Sequence, residues 1–171
     1  LTILLGEIGN MAGYSGFDNL FAGSADSAIN VTAAAGGSTI TTGSGNDQIT
    51  LSTNVDIVDA GDGNDAILNT GVGLTTGDSI NLGLGDDNFD YVALPLGVTI
   101  SGGTGNDTIT YTGAANLGVD LTNATDVIAL ENGTYQSFES FYGFTATGNV
   151  TVMTASGSTV VTGGGTDDVT L

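Results

Sequence analysis

The sequence predicts an all-β chain wound as a parallel solenoid of about 20 residues per turn. Three observations predict it. A glycine-and-aspartate unit recurs at intervals near that length. Between copies lie short segments in which β-branched and polar residues alternate, as half-buried strands do. Finally, 29 glycines and a single proline among 171 residues leave no stretch suited to a long helix.

The recurrent unit comes first. "GSGNDQITL" carries Asp47, "GDGNDAIL" Asp65, "GLGDDNFDY" Asp87, "GTGNDTITY" Asp107 and "GGGTDDVTL" Asp167. All five read G-x-G-[NDT]-D-x-[IFV]. The glycine pairs are Gly43 and Gly45, Gly61 and Gly63, Gly83 and Gly85, Gly103 and Gly105, and Gly163 and Gly165. The aspartates are spaced by 18, 22, 20 and then 60 residues, so the last interval predicts three turns with degenerate copies inside it. "TNATDVIAL" supplies one, with Asp126 and Ile128 in the same relation but both glycines lost. "GFDNL" is a fainter echo through Gly16, Asp18 and Leu20. A longer echo repeats "GSTITTGSGNDQITL" from Gly37 as "GSTVVTGGGTDDVTL" from Gly157.

These boundaries divide the chain into an irregular β lead-in or preceding repeat (1–36), a solenoid (37–130), an aromatic-rich β insert or cap (131–156) and the start of a further turn (157–171). The aromatic segment concentrates Tyr135, Phe138, Phe141, Tyr142 and Phe144. Inward Ile49, Ile67, Phe89, Ile109, Ile128 and Val169 are expected to form the solenoid core, each packing on its neighbours above and below.

Charge sets the chemistry. The chain has no Lys, Arg or His against 19 acidic residues, a formal charge of −19. No internal salt bridge can form, and burying an unpaired carboxylate is costly. Nucleic acid is excluded as a direct partner, because nothing could neutralise phosphates. Direct membrane insertion is excluded too, since the longest apolar run is half a span and contains Pro95. No signal peptide is visible, and a chain opening on Leu1 reads as a window from a longer or processed polypeptide. Without His, Cys, Lys or Arg there is no acid/base or nucleophilic set, so the expectation is not an enzyme.

The unit itself points to a metal. Two glycines one residue apart let the backbone adopt positive φ and turn its carbonyls to one side. The aspartate then adds a carboxylate, and a set of oxygens without nitrogen or sulfur suits a hard cation, Ca²⁺ before Mg²⁺. One loop cannot complete such a shell, so stacked loops are expected to share ions. Asp18 and Asp126 read as solvated turn residues. Asp56, Asp59, Asp62, Asp78, Asp86, Asp90 and Asp168 read as surface charges, with Asp62 and Asp86 inside the loops and within reach of an ion.

Residues Gly102 to Thr110 fit all nine positions of G-G-x-G-x-D-x-U-x, and the chain here resembles the RTX (repeats-in-toxin) proteins. The other four copies lack the first glycine, with Thr42, Ala60, Leu82 and Thr162 in its place. The resemblance implies a right-handed parallel β-roll or β-solenoid loaded with Ca²⁺, bound by the five motif aspartates and their glycine loops. One motif per turn, rather than two, implies calcium along one edge only, with irregular β segments beside it.

The acidic, cysteine-free, Thr- and Gly-rich texture is similar to RTX-containing surface-layer proteins of bacteria, and "SFESF" around Glu139 resembles stretches that punctuate them. That likeness implies an extracellular, secreted structural protein, a self-assembling block of a surface layer, sheath or filament. Its partners would be copies of itself, with a cell-surface glycan or anchoring protein. The alternatives are a repeat module of a large adhesin, with ice binding as its lesser variant, and an accessory export or folding repeat of a secreted enzyme or toxin.

Overall fold

Short runs of Ile, Val, Thr and Phe between glycine loops form short strands, and the strands stack. The computed structural model describes residues 2–4, 18–68, 74–91, 98–113, 117–120, 133–136, 139–143, 145–154 and 157–170. In chain order the strands are β1 (Thr2–Leu4), β2 (Asn19–Phe21), β3 (Asn30–Thr32), β4 (Thr39–Thr41), β5 (Gln48–Thr50), β6 (Ile57–Asp59), β7 (Ala66–Leu68), β8 (Ser79–Leu84) and β9 (Asn88–Tyr91). They continue as β10 (Val98–Thr104), β11 (Thr108–Tyr111), β12 (Leu117–Asp120), β13 (Gly133–Gln136), β14 (Ser140–Tyr142), β15 (Val150–Met153), β16 (Thr159–Val161) and β17 (Asp168–Thr170). No helix occurs among the described residues.

Three sheets result, all of parallel pairs. The first runs β1-β3-β5-β7-β9-β11-β14-β16, the second β13-β10-β8-β6-β4-β2, and the third β12-β15-β17. From β2 to β11 the chain alternates between the second and first sheets, one strand of each per turn. The whole is a β-solenoid of about 6 turns with roughly 20 residues per turn.

Register places like residues over like. In the first sheet Val31, Ile49, Ile67, Phe89, Ile109 and Phe141 form one inward column. In the second sheet Ile40, Val58, Ile80 and Ile100 form another. All ten are buried in one apolar cluster. Each such side chain contributes about 1.5–3 kcal/mol of transfer free energy, mostly against its neighbours in adjacent turns.

Several expectations change. Of the two readings of the N-terminal segment, residues 19–36 match the preceding repeat, since β2 and β3 pair with β4 and β5 as a full turn. The echo in "GFDNL" is not a copy of the motif: Leu20 lies beside Ile40 in the second sheet, before the glycine loop rather than after it. Within 131–156, β14 continues the first sheet and Phe141 fills the core column, so this part is a solenoid turn. Val169 pairs with buried Val152 but is 46% exposed, since β17 is the outermost described strand of its sheet. Asp126 and Ile128 lie outside the described residues.

Candidate metal-binding edge

The glycine loops carry the chain from the second sheet into the first, so each motif aspartate precedes a strand of the first sheet. Gln48, Ala66, Asn88 and Thr108 are register partners in turn. The residues just before them, Asp47, Asp65, Asp87 and Asp107, therefore form a column. All four are buried, none more than 2% exposed.

Backbone N–H groups hold one oxygen of each. Ile29 N–H donates to Asp47 Oδ1, Asp47 N–H to Asp65 Oδ1 and Asp65 N–H to Asp87 Oδ1, each at 2.7 Å. Asp87 N–H donates to Asp107 Oδ1 at 2.9 Å, and Asp107 N–H to Glu139 Oε2 at 2.7 Å. The other oxygen, Oδ2, of Asp47, Asp65, Asp87 and Asp107 is buried without a hydrogen-bond partner among the described residues. A buried, unmatched carboxylate oxygen costs free energy unless a proton, water or cation meets it, and this column holds four.

The glycines make the stack possible. Gly61, Gly83 and Gly103 have φ of +102°, +113° and +109°. A Cβ on any of them would overlap the carbonyl oxygen of the first motif glycine in the preceding turn. The second glycines repeat this, with Gly63, Gly85 and Gly105 facing the carbonyls of Gly45, Gly63 and Gly85. Asp62 N–H donates to Gly43 O and Leu84 N–H to Gly61 O, both at 2.8 Å. The carbonyls thus turn along the stack toward the next loop.

The missing first glycine also has a reason. Thr42, Ala60 and Leu82 are buried at the last inward position before each loop, where a side chain fills the core.

The residue before the aspartate builds an outer ladder that sequence reasoning missed. Asn64 N–H donates to Asn46 Oδ1 at 3.0 Å, Asp86 N–H to Asn64 Oδ1 at 3.1 Å and Asn106 N–H to Asp86 Oδ1 at 2.9 Å. Asp62 and Asp86 are exposed, outside the inward column.

Asp56 and Asp78 are not surface charges. They are 0% and 1% exposed, at the opposite turn of the solenoid. Asp56 Oδ1 accepts from Ser38 N–H and Asp78 Oδ1 from Asp56 N–H, both at 2.8 Å. Their second oxygens accept from Ser52 N–H at 2.7 Å and Thr75 N–H at 2.6 Å. Both oxygens are matched here, so this column caps backbone, whereas the motif column keeps an oxygen spare. Its signal was in the sequence: Ser38, Asp56 and Asp78 are spaced by 18 and 22 residues, like Asp47, Asp65 and Asp87.

Asp167 stands apart. Its loop leaves β16 of the first sheet and enters β17 of the third, whereas the other four enter the first sheet. The five copies thus occupy opposite ends of the first sheet's strands, four on one edge and one on the other. The local architecture is the same: Val150 N–H donates to Asp167 Oδ1 at 3.0 Å, and Thr166 N–H to Asn149 Oδ1 at 2.9 Å. Gly163 is packed against the carbonyls of Gly143 and Ala146, and Gly165 has φ +108°. Yet the stacked position opposite is Val150, which brings no carboxylate.

Among the described residues no three acidic side chains converge on one point. A cation on the motif edge would therefore be held by carboxylates of two successive turns together with loop carbonyls. That oxygen-only set, with the orphaned Oδ2 atoms and no positive side chain nearby, fits a hard divalent ion.

Burial pushes Asp65 and Asp107 up to about 7 and raises Asp87 as well. Neighbouring carboxylates add to it: Asp87, Asp47 and Asp62 around Asp65, and Asp87, Glu139 and Asp86 around Asp107. The hydrogen bond that each accepts pulls the other way. Without divalent cation, the folded chain therefore binds more protons than the unfolded chain between about pH 4 and 7. Stability is highest below that window and is lost as pH rises through it. Circular dichroism in chelator should show less strand content at pH 8 than at pH 5, and equal content would contradict the buried column.

No protein-family model, curated protein or solved structure matches this chain. The chemistry of its edge rests on its own geometry.

Proposed function

We propose that the chain is a calcium-stabilised building block of an extracellular surface layer, sheath or filament. The observation that carries this reading is the column of buried carboxylates with a spare oxygen each, in a protein without a positive side chain. Asp47, Asp65, Asp87 and Asp107 would hold the ions through Oδ2, with carbonyls of the glycine loops beside them. Bound calcium supplies the positive charge that two adjacent carboxylates lack. The chain's own residues do the rest: Oδ1 locks each loop to the one before, and the glycines let the loops close up.

A rod made rigid in this way suits a mechanical role. In a calcium-poor interior it would stay unfolded, and in millimolar extracellular calcium it would fold and stiffen. Copies of the chain are the proposed partners, through lateral or end-to-end contact.

Electron microscopy with and without chelator tests this. Ordered assemblies in calcium that dissolve in chelator are the expected result. Calcium-stiffened particles that stay monomeric at high concentration would refute the building block and favour an adhesin stalk.

A further inference from the structure

We propose that Glu139 is the fifth carboxylate of the motif column and, with Asp107, holds one divalent cation beyond those that the glycine motif accounts for. The proposal rests on the calcium reading of the column and adds a ligand that no motif marks.

Register places it. Ser140 lies beside Thr108 in the first sheet, so Glu139 stacks on Asp107 as Asp107 stacks on Asp87. Its carboxylate performs the same act as the aspartates, accepting the N–H of the column member one turn earlier, Asp107, at 2.7 Å. The offset of 32 residues hides this in the sequence, where the other steps are 18 to 22.

Ser101 pairs with Gln136, and Asp107 follows Ser101 by six positions whereas Glu139 follows Gln136 by three. There is no glycine in the short connection. Glu139 N–H and Ser140 N–H both donate to Asp107 O, at 3.0 and 2.9 Å, so the backbone folds tightly onto Asp107.

A second observation points to a ligand there. Asp107 is 0% exposed and its Oδ2 has no partner among the described residues, although Glu139 stands over it. The Asp107–Glu139 step stacks two carboxylates as the Asp47–Asp65, Asp65–Asp87 and Asp87–Asp107 steps do, with the buried unmatched oxygen on Asp107 and a half-buried Glu139 above it. The column then offers four shared positions instead of three.

Glu139→Gln separates a ligand from a cap, since its amide oxygen still accepts from Asp107 N–H while the charge is gone. Calcium uptake is counted by equilibrium dialysis and calorimetry, with circular dichroism at saturating calcium as the check on strand content. The expected result is one calcium fewer than wild type, or one ion weakened on the order of tenfold. The same number bound at the same affinity as wild type would overturn the proposal. If Glu139→Gln also loses strand content, retention of the ion by Glu139→Asp carries the assignment, and its loss there overturns it. The parent reading fails differently: wild type itself would take up no calcium. An effect of Asp65→Asn without any effect of Glu139→Gln would sink only the role of Glu139.

Discussion

With calcium chelated at pH 8, the chain is expected to lose most of its strand signal, and millimolar calcium is expected to restore it cooperatively. The magnitude follows from the column. Adjacent strands lie about 4.8 Å apart. Two ionised carboxylates at that spacing repel by roughly 3 kcal/mol at an effective dielectric near 20. Three such steps link Asp47, Asp65, Asp87 and Asp107, against a typical domain stability of about 5–15 kcal/mol. No Lys or Arg offsets any of it. Each bound ion removes repulsion at its step and adds binding free energy by mass action. Circular dichroism through a calcium titration reads the outcome. Full strand content in chelator at pH 8 would show that packing alone carries the fold.

Gly83→Ala should be strongly destabilising, costing about 2–5 kcal/mol. Its φ of +113° strains any side chain, and the new Cβ would fall on the carbonyl oxygen of Gly61 and 2.9 Å from its carbonyl carbon. Backbone, unlike a side-chain tip, cannot step aside without breaking the Leu84 N–H to Gly61 O bond at 2.8 Å. Gly36→Ala is the control: its Cβ would meet no atom within 4 Å and its φ is ordinary. That change should be neutral, or stabilising by less than about 1 kcal/mol. Denaturant midpoints at saturating calcium compare the two. Equal midpoints would mean that the loops do not stack in this register.

The stack was legible in the sequence because its period is written in residues that only the stack requires. The spacings of Asp47, Asp65, Asp87 and Asp107 are the offsets of the backbone-to-carboxylate bonds that join them, 18, 22 and 20 residues. The first turn was hidden because Ile29 stands at the aspartate position and the loop around Ala25 and Ser27 lacks the glycine pair. Asp56 and Asp78 carried the same period without the G-x-G pair: Gly77 precedes Asp78 with φ +102°, but Val55 precedes Asp56.

The C-terminal shift was not legible. "GSTITTGSGND" and "GSTVVTGGGTD" fold into similar loops, yet β4 belongs to the second sheet and β16 to the first. Local residues dictate a strand, a loop and a strand. Nothing within the repeated stretch says which sheet receives them.

The whole stack, buried columns included, has the linear charge of a polyelectrolyte. Leaving aside Glu7, Asp126 and Glu131, sixteen carboxylates belong to described residues. About 6 turns at ~4.8 Å rise to about 29 Å, so full ionisation puts one negative charge every ~1.8 Å along the axis. Duplex DNA carries one per roughly 1.7 Å and gathers a condensed layer of counterions for that reason. A protein rod of equal linear charge density gathers one too. Sodium or potassium in that layer must be released before calcium settles into the loops, so its affinity for calcium is a function of ionic strength as much as of loop geometry.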